Sequence, residues 1–101
     1  MGNLSMVKQL WADFQKLPFP HDIKSRSEAY VDMGRLNTTA RQCIQQYVEK
    51  NGEIDIATRQ LLKNCLDDMS TRNHGLTGDA QVYFGVLYRI CDLIAGQDAS
   101  A

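Results

Sequence analysis

Residues 25–50, SRSEAYVDMGRLNTTARQCIQQYVEK, decide the fold. Ala29, Met33, Leu36, Ala40, Cys43 and Tyr47 advance by alternate steps of four and three. That spacing holds one apolar face of an α-helix in phase from end to end. Tyr30, Ile44 and Val48 widen the face. Ser25 and Glu28 stand three apart, as a capping box requires. Gly34 costs about 1 kcal/mol in a helix interior, and Asn37-Thr38-Thr39 offers a second place for a cap. The apolar phase runs through both without a slip, so one helix is expected over about residues 26–50, with any kink near Gly34–Asn37. Asn51-Gly52 then stops it, with the glycine supplying a left-handed residue.

Toward the amino terminus, Leu4, Val7, Trp11 and Phe14 form one stripe of a helix over about residues 4–16. Asn3 is placed to cap it, and Pro18-Phe19-Pro20 ends it, with Phe19 expected to plug the bundle end. Toward the carboxyl terminus, Asp55 caps a third helix over about 56–72, whose core face reads Leu61, Leu62, Cys65, Leu66 and Met69. Asn73-His74-Gly75 breaks it. Thr77 caps a fourth helix over about 78–95, ended by Gly96. The links are short, so neighbouring helices run antiparallel. The expected fold is all-α, an antiparallel up-down four-helix bundle in a single domain over 1–96, with 97–101 as a frayed polar tail.

The chain has 101 residues, 44% apolar and 23% charged, with a net charge of −1. These values suit one globular domain and lack the basic excess that nucleic-acid binding demands. No run reaches the roughly 18 apolar residues of a membrane span, and the start of the chain does not read as a signal peptide. Three cysteines, an odd count without paired spacing, argue against a secreted disulfide framework. A cytoplasmic setting is expected.

Each candidate for chemistry has a structural explanation beside it. A second hairpin turning near Gly52–Glu53 is expected to set Cys43 opposite Cys65 and Tyr47 opposite Leu61, which makes a Cys43–Cys65 disulfide sterically possible. The next hairpin sets Cys65 opposite Val86, leaving Cys91 roughly 7–8 Å further along. A compact three-thiolate site is therefore not expected, and the thiols read as small buried hydrophobes. His21 and His74 fall in loops, and no HxxxH, CxxC or ExxH motif lies on a helix, so neither metal nor cofactor is expected. Glu49, Glu53 and Asp55 read as capping and solubilising groups. Asp67 and Asp68 sit late in the third helix, against its dipole, and suit a partner contact better than catalysis. The serines have no GxSxG context, and no P-loop or GxGxxG occurs. A helix-turn-helix would expose Arg59, Gln60, Lys63 and Asn64 as base readers, but Asp67 and Asp68 share that helix.

The fourth helix is the least ordinary segment. Tyr83, Leu87, Ile90 and Ile94 centre its apolar face. Val82, Val86 and Leu93 extend one flank, and Ala80, Phe84, Tyr88, Cys91 and Ala95 extend the other. With Asp79 in the first turn, only Gln81, Gly85, Arg89 and Asp92 are left as a polar strip. Such a face suits a helix clasped by the other three, or one that offers Phe84 and Tyr88 to a second copy or another protein. The leading expectation is a non-catalytic protein-interaction or regulatory module, of adaptor, antitoxin or immunity type. It would be homodimeric through the fourth helix, with Phe84, Tyr88, Arg89 and Gln81 at the contact. The alternatives are an enzyme or cofactor-binding bundle with a site near the His21 and His74 loops, and a weak DNA-binding regulator.

Overall fold

The structure, a computed structural model, describes residues 4–18, 28–73, 76 and 78–96. It is an all-α bundle of four helices: α1 (Leu4–Phe14), α2 (Glu28–Glu49), α3 (Ile56–Arg72) and α4 (Gly78–Gly96). No strand occurs among the described residues. Neighbouring helices pack along the order of the chain, and α1 also packs on α4 to close the ring. α2 and α4 meet across the middle, whereas α1 and α3 make no packing contact.

Local chemistry sets the ends. The backbone N–H groups of Lys16 and Leu17 donate to the carbonyls of Asp13 and Phe14, at 3.2 and 3.0 Å. These tight i→i+3 bonds wind α1 down two residues before the expected end. α2 is continuous through Gly34, because the Thr38 hydroxyl donates to the Gly34 carbonyl at 3.0 Å instead of capping a new helix. It stops at a pair of left-handed residues, Asn51 (φ 56°) and Gly52 (φ 96°). The Gly52 N–H donates to the Tyr47 carbonyl at 2.8 Å, and the Asn51 N–H to the Val48 carbonyl at 3.2 Å. This is a Schellman ending in which asparagine, not glycine, is the first left-handed residue. Asp55 caps α3 as expected, its carboxylate accepting the Thr58 N–H at 2.7 Å. Ser25, Phe19, Asn3 and Thr77 lie outside the described residues.

Side-chain contacts fix the pairing. The Thr58 hydroxyl donates to Gln46 Oε1 at 3.2 Å near one end of the α2–α3 hairpin, and Arg72 meets Asp32 at 2.9 Å near the other. Both set the register about one helical turn away from the expected one. The Cys43 thiol accordingly points at the Thr58 carbonyl, 3.9 Å away. Leu61, expected in the core, turns to the surface at 48% exposure. Across α1 and α2, Trp11 Nε1 donates to Gln45 Oε1 at 3.3 Å.

The core is aromatic where α1, α2 and α4 converge. Phe14 packs on Tyr83 with ring centroids 4.6 Å apart, and Tyr83 meets Phe84 edge-on at 5.0 Å. Tyr83 donates its hydroxyl to Asn37 Oδ1 at 2.6 Å and accepts from Arg41 Nη1 at 3.5 Å. The Arg41 guanidinium also lies 5.7 Å from the centre of the Trp11 ring and 5.8 Å from that of Phe14. A buried phenol thus keeps its apolar body and a satisfied polar tip.

Candidate functional site

At about 100° per residue, the buried side of α4 runs from Ile90 through Tyr83, Ile94, Leu87 and Cys91 to Phe84 and Ala95. The Phe84 side of the helix is the one the bundle covers. Asn73 Nδ2, at the end of α3, donates to the Phe84 carbonyl at 3.4 Å, and the Phe84 ring is fully buried. This corrects the expectation that Phe84 stands at an external contact: its ring is occupied by the chain's own helices. Tyr88 beside it is half-buried, and Gln81 and Arg89 are exposed.

The opposite flank of α4 is left uncovered. Val82 is 58% exposed, and Val86 and Leu93 are half-buried. α1 carries a matching flank. Trp11 and Leu4 lie toward α2, so Met6 and Leu10, on the other flank of α1, face away from α2, and Leu17 follows in the turn after the helix. Met6 is 48% exposed, Leu17 is 36% exposed and Leu10 is half-buried. The Phe14–Tyr83 ring contact sets the two helices side by side. The result is a two-helix apolar face with Met6 and Val82, two of the five exposed large apolar side chains among the described residues, on its two helices. Periodicity found the α4 half of this face but not its α1 half, because Leu4, Val7, Trp11 and Phe14 account for the core stripe on their own. Asp13 borders the face on α1 and Arg89 borders it on α4.

The second feature is a cleft of about 290 Å³ between α2 and α3. Asp32, Arg35 and Thr39 approach it from α2, and Asn64, Asp68 and Arg72 from α3. Leu36, Leu61 and Cys65 complete its walls. Leu61 reaches it from the exposed side of α3. Asp68, noted from the sequence for opposing the helix dipole, is one of these walls.

The three cysteines are free and buried. Burial first, then the nearby Asp55 charge, raises the Cys43 thiol above its usual value. Burial, with smaller contributions from Cys43 and Asp68, pushes Cys65 up to about 11. Cys91 is raised furthest, by burial and then by Cys65, Cys43 and Asp92. All three are neutral thiols at physiological pH. Among the described residues no group of three His, Cys, Asp or Glu side chains is placed to hold a metal ion.

On α3 the side chains proposed as base readers are partly engaged. Gln60 Nε2 donates to Asn64 Oδ1 at 3.1 Å, and Arg59 is half-buried. His21 and His74 lie outside the described residues, as does any site built on them. No helix among the described residues is long and apolar enough to cross a membrane. Comparison with family models, with curated proteins and with solved structures finds no match to this chain.

Proposed function

We propose that this chain is a small, non-catalytic interaction module of regulatory type that pairs with a second copy of itself through the α1–α4 face. The observation that carries the reading is the exposure of Met6 on α1 and Val82 on α4, two helices that pack together, with Leu10, Val86 and Leu93 half-buried on the same flanks. Apolar flanks left open on two packed helices suit a contact site. The pairing of the two flanks favours a second copy as the occupant. The charges beside them are mixed, Asp13 on α1 and both Asp79 and Arg89 on α4. A two-fold axis running along the helices lays the α1 flank of one copy on the α4 flank of the other, so one surface can receive a copy of itself. Of the residues expected at the contact, Arg89 remains there, while Gln81 and Tyr88 lie on the far flank of α4. Three buried thiols suit a reducing, cytoplasmic compartment.

Light scattering tests the reading. At micromolar concentration the chain should show twice its mass of 11.4 kDa. Val82→Glu should return it to the single-chain mass with its helicity unchanged, because Val82 supports no core contact of the monomer. A single-chain mass at every concentration would remove the self-association.

A further inference from the structure

The α2–α3 cleft lies on the other side of the bundle from the α1–α4 face. The Arg72–Asp32 pair closes one end of it at 2.9 Å, and each of those charges neutralises the other. Two charges are left over. Among the described residues Arg35 and Asp68 enter no ion pair, yet both line the cleft, the cation from α2 and the anion from α3. The register fixed by Asp32 and Arg72 holds the two nearly level. Between them the wall is apolar: Leu36 and Cys65 are buried and Leu61 forms the edge. The Cys65 thiol, pushed up to about 11 by burial, stays uncharged at neutral pH and keeps that wall apolar.

We infer that the α2–α3 cleft binds a free aliphatic α-amino acid, with its carboxylate on Arg35, its ammonium on Asp68 and its side chain over Leu36, Leu61 and Cys65. A guanidinium receives a carboxylate through two parallel N–H donors. The cleft volume, about 290 Å³, is at the lower end for ligand sites, which suits one amino acid. Both charged groups are open to solvent, so the affinity is weak.

Titration of the full chain with L-leucine up to tens of millimolar, followed by amide chemical shifts, tests this. Saturable shifts confined to residues 32–39 and 61–72 are expected. Isoamylamine, which lacks the carboxylate, and 4-methylpentanoate, which lacks the ammonium, should each bind about tenfold more weakly. Arg35→Gln and Asp68→Asn should weaken leucine by a similar factor with helicity unchanged, since both side chains are exposed. Absence of shifts, shifts mapping elsewhere, or equal responses to the three compounds would overturn the inference. The readout does not depend on whether the chain pairs with itself.

Discussion

Tyr83 is 2% exposed, and its hydroxyl reaches Asn37 on α2 while its ring touches Phe14 on α1. One side chain therefore ties three helices together. Tyr83→Phe keeps the ring but leaves Asn37 Oδ1 without its donor, and should destabilise the fold by about 1 kcal/mol in urea unfolding. An unchanged midpoint would show that water replaces the phenol there. Asp55 acts over a shorter range. Hydrogen bonding from Thr58 holds the Asp55 carboxyl below the usual aspartate value. A folded-state value below the unfolded one means that the cap contributes fully above about pH 3.9 and is lost as pH falls through the lower folded value. Asp55→Ala should therefore melt earlier than wild type at neutral pH, and the gap should close in strong acid. Melting curves with the same gap at every pH would contradict the capping role. The cap was legible in the sequence because its donor lies three residues away. The partners of Tyr83 were not, because they depend on how distant segments pack.

At the scale of the helix, α4 shows what periodicity can and cannot resolve. Tyr83, Leu87, Ile90 and Ile94 centre its buried face, as the spacing predicts. Which flank the bundle covers depends on where α3 and α1 lie, and the pattern within α4 does not contain that information. The packing covers Phe84 and leaves Val82 open. Phe84→Ala should cost about 3–5 kcal/mol, whereas Tyr88→Ala, half-buried, should cost about 1 kcal/mol. Equal costs in denaturant unfolding would contradict the assignment of Phe84 to the core. The α2–α3 hairpin teaches a similar lesson. Its stop signals were readable at Asn51-Gly52 and Asp55, but the length of chain absorbed by two left-handed residues was not, and that length sets the register. The thiols inherit the consequence. Because thiolate is the reactive form and all three cysteines are buried with raised values, iodoacetamide at mildly alkaline pH should label them slowly in the native protein and rapidly in denaturant. Rapid native labelling of Cys91 would contradict its burial.

For the whole molecule, four helices with short links leave few arrangements, and the expected up-down bundle follows from them. The separation of α1 from α3 is a consequence of α2 and α4 meeting across the middle. It leaves two distinct sides: an apolar face on α1–α4 and a charged cleft on α2–α3. Neither was visible as a unit in the sequence, because each is assembled from flanks of two helices. The claim that the apolar face receives a second copy is tested most directly by isotope-filtered NOE measurement on a mixture of labelled and unlabelled chains. The methyl groups of Val82, Val86 and Leu93 in one copy should show contacts to Met6 and Leu10 in the other. Intermolecular contacts at other surfaces, or none in a sample of doubled mass, would contradict it.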